Sequence, residues 1–165
     1  MTEEVPAFER LEAYGFGIDY PRDYQIEFNP KSTRGQGDIA LKAPDRSKIF
    51  LSWGDLKKVS KYGVEGHADY SVKRISGSRE ATVEKVTKET RTVNGHPGAY
   101  RSVDLQLARR GLFSRGSTTP QIVRSLHVHC DISSRYFVIY GPTTPESSDT
   151  LDANMSRMVA SFTCH

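Results

Sequence analysis

The dipeptide Asn94-Gly95 is the strongest local constraint in this sequence, because it stands between two long runs that each read as a strand. Thr82 to Val93 is rich in Thr and Val, and Ala99, Val103, Leu105 and Leu107 follow the turn. Asn-Gly takes up the positive-φ geometry of a tight hairpin and so commits both runs to antiparallel pairing. A second hairpin reads out further on. Ile122, Leu126, Val128 and Cys130 line one strand face, Ser133-Ser134 turns the chain, and Tyr136-Phe137-Val138-Ile139-Tyr140 returns it. That last run is apolar on both faces, as a central strand is. Gly141-Pro142 breaks it.

The N-terminal third has the same grain. Phe16, Ile18 and Tyr20 alternate, as do Tyr24, Ile26 and Phe28. Ile39 and Leu41 begin a third strand, and Lys48 to Trp53 forms a fourth. Residues 7–13 read either as a short helix after Pro6 or as an extended arm. Val64, Ala68, Val72 and Ile75 fall on one helical stripe over 63–76, with Gly77 as a stop. Leu151, Met155, Met158, Val159 and Phe162 make a second stripe, with Thr144 as a cap and Pro145 in its first turn. The expected order is four strands, a helix, four strands and a helix. Short turns imply antiparallel neighbours, so the expected fold is α+β, an antiparallel sheet sandwiched between helices.

At 165 residues this is one domain, read as 14–165 behind an arm at 1–13. Its 23 basic and 20 acidic residues are interspersed, which argues against a dedicated nucleic-acid binder. The start, Met1-Thr2-Glu3-Glu4-Val5-Pro6, lacks a basic and an apolar region of the secretory kind. No apolar run reaches the ~20 residues of a membrane span. A cytoplasmic location is the expectation. Two cysteines are too few for a disulfide framework and match no zinc-knuckle spacing. In a reducing compartment they are two thiols, Cys130 on the core face and Cys164 near the surface. The alternative is a bond that closes a loop of 35 residues.

The segment Tyr14-Gly15-Phe16-Gly17-Ile18-Asp19-Tyr20-Pro21 with Tyr24, the turn Asn94-Gly95-His96-Pro97-Gly98-Ala99, the hairpin ending in Tyr136 to Tyr140, and the closing helix running into Ser161-Phe162 together resemble the PsbP-like domain, over residues 14–163. That family is named for an extrinsic subunit of photosystem II, and its fold is shared by a nuclear-import factor that binds the GTPase Ran. The resemblance implies an antiparallel sheet between helices and a protein that docks to larger partners. It carries over no functional residue, because the matching positions are turn glycines, a proline and core aromatics. The absence of a transit peptide or lipoprotein leader sets this chain apart from the photosynthetic members.

Three features bear on chemistry. His127 and His129 share a strand face opposite Leu126, Val128 and Cys130, and Asp131 could extend that face into a divalent-metal site. Against that stands the plainer reading of two histidines packed under a helix. The segment from Arg109 through Arg110, Gly111, Leu112, Phe113, Ser114 and Arg115 sets two large apolar residues among three arginines, a pattern that suits a protein interface. The opposing reading is a loop whose Leu112 and Phe113 fold back on the domain. Catalytic signatures are missing: there is no Gly-x-Ser-x-Gly elbow, and Arg34-Gly35-Gln36-Gly37 lacks the Gly-Lys-Ser/Thr ending of a phosphate loop. The expected function is therefore a non-catalytic module that docks to a protein partner and carries no cofactor. The alternative is a metal or small-ligand binder using His127 and His129, and after it an enzyme that uses an open pocket of the sheet.

Overall fold

The computed structural model describes residues 7–109, 111 and 116–165. Among these residues nine strands and two α-helices follow one another: β1 (Phe8–Ala13), β2 (Phe16–Pro21), β3 (Gln25–Phe28), β4 (Gly37–Lys42), β5 (Lys48–Asp55), α1 (Gly63–Ser76), β6 (Ala81–Val93), β7 (His96–Ala108), β8 (Thr118–Cys130), β9 (Arg135–Thr143) and α2 (Ser148–Ser161). Seven strands form one antiparallel sheet in the order β3-β4-β5-β9-β8-β7-β6. The sheet is two meanders, β3–β5 and β6–β9, joined where β5 pairs with β9. Asn94 (φ 48°) and Gly95 (φ 84°) close the β6–β7 hairpin with the two positive φ angles its twist demands.

Five strands precede α1, where the sequence suggests four. Of the two readings of residues 7–13 the extended one holds, since residues 8–13 form a strand and not a helix. They pair with β2 in register from Phe8↔Pro21 to Ala13↔Phe16, through a Tyr14-Gly15 turn with φ 52° and 73°. This two-stranded ribbon belongs to the domain and packs beside α2 on one face of the large sheet.

That face holds the main core. Leu51 and Trp53 from β5, Phe137 and Ile139 from β9, and Leu126 and Val128 from β8 are all buried, and Met155, Met158 and Phe162 cover them. Phe16, Trp53, Phe137 and Phe162 meet ring to ring at 5.0–6.3 Å, in tilted and edge-on arrangements that suit aromatic quadrupoles. Trp53 Nε1 donates to the Thr33 carbonyl at 2.9 Å, so the indole is buried without an orphaned donor. The opposite face carries α1, which lies mainly over β6, β7 and β8 and leaves much of β5 and β9 open. Helices on the two faces make this an α+β sandwich.

The cysteines correct an expectation. Cys130 and Cys164 form a disulfide, with Cα atoms 6.4 Å apart, and both are buried. The chain does not run outward after α2. Thr163 forms an extended bridge with Gly17, with N–H···O bonds of 2.9 and 2.8 Å in the two directions. This return carries Cys164 under the ribbon and onto Cys130. Buried Arg135 ties the same corner by donating to the carbonyls of Tyr14 (2.6 Å), Arg34 (2.8 Å), Gly15 (2.9 Å) and Cys164 (3.3 Å). Among the described residues no helix is long and apolar enough to cross a membrane.

Candidate functional site

The α1 face gathers most of the polar chemistry that the fold buries. Strand alternation sends His127 and His129 of β8 to this side, while Leu126, Val128 and Cys130 point into the main core. Helix spacing sends His67 and Ser71, four residues apart on α1, down onto them. His67 Nδ1 lies 3.0 Å from His129 Nε2, and Ser71 Oγ lies 3.0 Å from His127 Nε2. The His67 and His127 rings meet edge-on at 4.7 Å, and Tyr136 closes on His67 at 4.9 Å. His67, His127 and His129 are all buried.

Burial fixes their protonation. Desolvation, with the neighbouring His129, pushes His67 down to about 4. Desolvation first, then His67, His129 and Arg101, pushes His127 down to about 3. Desolvation lowers His129 as well, against the pull of the Asp131 carboxylate. All three imidazoles are therefore neutral near pH 7. Arg101 stands next to them, 1 % exposed, and is satisfied by Asp69 (3.0 Å), Glu65 and the Tyr100 carbonyl (2.8 Å).

Beyond the histidines the uncovered part of the sheet opens into a cleft of about 470 Å³. Ser52, Val138 and Tyr140 form its floor, and Val72 and Ile75 of α1 form one wall. Tyr140 stacks on Phe50 with ring centroids 5.0 Å apart. His127 Nδ1 is buried and has no hydrogen-bond partner among the described residues.

The cluster holds one hydroxyl and three neutral imidazoles. Ser71 and His127 have the spacing of a nucleophile and its base. A histidine in that role needs its other nitrogen held by an acceptor, and it must carry a proton in the transition state. His127 Nδ1 lacks that acceptor, and protonation is opposed by burial and by Arg101. A metal ion fares no better between His127, His129 and Asp131. The two imidazoles direct Nε2 at Ser71 and His67 respectively, and Asp131 lies in the exposed turn after β8.

The sequence picked out His127 and His129 but not His67 or Ser71. The available signal was their spacing of four on the stripe that contains Ala68. Of the residues expected at an interface, Arg109 is exposed and donates from Nε to Thr119 Oγ1 at 2.8 Å. Arg110, Leu112, Phe113 and Arg115 lie outside the described residues.

No family model matches the sequence, and no curated protein matches it. Solved structures do. The solution structure of cyanobacterial PsbP (CyanoP) from Synechocystis sp. PCC 6803 superposes with a TM-score of 0.54 at 12% identity, covering 100% of this chain and 98% of that one. LpqN, involved in cell envelope biogenesis of Mycobacterium tuberculosis, gives 0.50 at 15% identity, over 90% of this chain and 82% of its own. The Ran-binding protein Mog1p of Saccharomyces cerevisiae gives 0.48 at 10% identity, over 96% of each chain.

Proposed function

We propose, from the PsbP-like fold this chain has, that it is a non-catalytic binding module which docks a protein partner at the cleft beside α1. The observation that carries this reading is the half-covered sheet face, where Phe50, Val138 and Tyr140 stay partly open beside α1. An apolar floor with a few convergent polar groups is how recognition sites are built. The resemblance read from the sequence points the same way. The fold by itself does not assign a function.

The test is capture on immobilised protein, with the wild type beside Val138→Glu. Val138 is partly exposed on the cleft floor, so a charge there blocks docking with little effect on folding. The reading requires proteins retained by the wild type and lost from the variant. Identical retention by both, or turnover in a metabolite screen, would remove it. A second reading is favoured by the unpartnered His127 Nδ1, which suits a small ligand that brings one hydrogen-bonding group. Elemental analysis tests the metal form of that reading.

The disulfide bears on location. Bonds of this kind persist in oxidising compartments, which supports such a compartment over the cytoplasmic location expected from the sequence.

A further inference from the structure

Four metal-binding side chains converge at the disulfide, on the sheet face opposite the cleft. His96 opens β7 after the Asn94-Gly95 turn, Cys130 ends β8, and Cys164 and His165 follow α2. One donor atom from each, a ring nitrogen or a sulfur, lies within 4.8 Å of all the others. Cys164 Sγ is 3.5 Å from His165 Nδ1, and the two imidazoles meet nearly perpendicular, with centroids 5.4 Å apart. Two sulfurs and two imidazole nitrogens are a complete tetrahedral donor set for zinc. Such a site, with bonds of about 2.3 Å to sulfur and 2.0 Å to nitrogen, places its donors roughly 3.3–3.8 Å apart. The four donors are thus already gathered to within side-chain adjustment of that geometry.

We propose that, when its disulfide is reduced, this chain binds one zinc-like divalent cation through His96, Cys130, Cys164 and His165. The disulfide and the metal site are then alternative states of one corner, selected by the redox poise of the surroundings. In the switching step a dithiol reductant attacks the disulfide. The Cys130–Cys164 bond breaks, a disulfide forms in the reductant, and two electrons and two protons pass to the cysteines. Each thiol then releases its proton as its sulfur binds the cation.

The surroundings suit the metal-bound state. Two thiolates cancel the charge of a divalent ion, so the buried half of the site is neutral overall. Arg135, whose Nη2 donates to the Cys164 carbonyl, ties the end of the chain to this corner. Cys130 and Cys164 are buried and held by β8 and the Gly17–Thr163 bridge. His96 is half-buried and His165 is exposed, which gives the cation a way in. The four ligands come from three separate parts of the chain, so no short motif announces them.

The proposal does not depend on the cleft. Full-length protein, oxidised or reduced with a phosphine, is titrated with Co²⁺ under anaerobic conditions and then challenged with Zn²⁺. The expected result is one Co²⁺ per reduced chain, a thiolate-to-cobalt charge-transfer band, intense visible bands of a four-coordinate ion, displacement by Zn²⁺, and none of these with oxidised protein. His96→Ala and His165→Ala should each weaken binding by more than about tenfold, since loss of a ligand costs at least as much as loss of its outer-shell partner, which is worth roughly 10–100-fold. If reduction unfolds the chain, Zn²⁺ must restore its far-UV circular dichroism. The proposal is overturned by a reduced chain that takes up no Co²⁺, by uptake without the thiolate band, by unchanged affinity in both histidine variants, or by a reduced, unfolded chain that Zn²⁺ fails to refold.

Discussion

Lowering the pH from 7 to 5 should cost this fold about 4 kcal/mol from His67 and His127 in equal parts, with His129 adding to the loss in the same direction. Both have native values far below the ordinary 6.5, at about 4 and about 3, chiefly because burial disfavours the imidazolium. The sign follows from linkage. Below 6.5 the unfolded chain takes up a proton at each site and the native chain does not. The stability is therefore present above 6.5 and is lost as the pH falls toward the native values. At pH 5 each site is 1.5 units below its unfolded value, worth about 2 kcal/mol at roughly 1.4 kcal/mol per unit. The two add, because both stay neutral in the native state over this window. The carboxylates of Asp45, Glu65 and Asp69 are held below their ordinary values and act only at lower pH. Urea melts at intervals between pH 7 and 5, with the disulfide intact, measure the loss. It corresponds to a fall in Tm of roughly 8–16 °C for a chain of this size. His67→Asn and His127→Asn should each remove about 2 kcal/mol of the pH dependence, whatever they do to stability at pH 7. A wild-type curve that is flat from pH 7 to 5, or the same fall in both variants, would refute the reasoning.

Two further outcomes follow from buried contacts. Arg101 is 1 % exposed and has Glu65 and Asp69 as its carboxylate partners. Glu65→Gln with Asp69→Asn should cost about 3–5 kcal/mol in denaturant melts, because a buried guanidinium is left without counter-charge. Arg101→Met should cost less. Gly37 has no room for a side chain, since a Cβ there would lie 2.6 Å from the Trp53 ring and closer still to Ser32. Gly37→Ala should therefore lower stability by about 1–3 kcal/mol and shift the tryptophan fluorescence.

The elements that were legible in the sequence are those specified by neighbours in the chain. Asn94-Gly95 fixes its own turn, and the stripe from Val64 to Ile75 fixes α1 to the residue. Residues 8–13 stay open between helix and extended chain for the same reason. Phe8 and Leu11 have helical spacing, and Glu9, Arg10, Glu12 and Ala13 suit a helix or a loose arm. Their strand exists because β2 offers a partner edge and Arg157 of α2 lies 3.9 Å over the Phe8 ring. Tertiary contacts override local preference there. The site shows the same division. Alternation placed His127 and His129 on one face, but their partners His67 and Ser71 come from an element more than fifty positions earlier. The Cys130–Cys164 pair depends on the chain's return along Gly17, which no periodicity encodes.

The junction of β5 with β9 has a kinetic meaning. Every other pairing in the large sheet joins consecutive strands, so each meander can zip from its own turns, whereas Phe50 must find Tyr140 across most of the chain. Closing that distance costs loop entropy before any contact repays it, which makes the docking of the two meanders the natural rate-limiting step. Until it happens, β5 and β9 are both unpaired edges carrying Ile49, Leu51, Phe137 and Ile139, the kind of strand that pairs with another molecule. As the chain emerges from the ribosome, the β3–β5 meander waits with that edge open until β9 has been made.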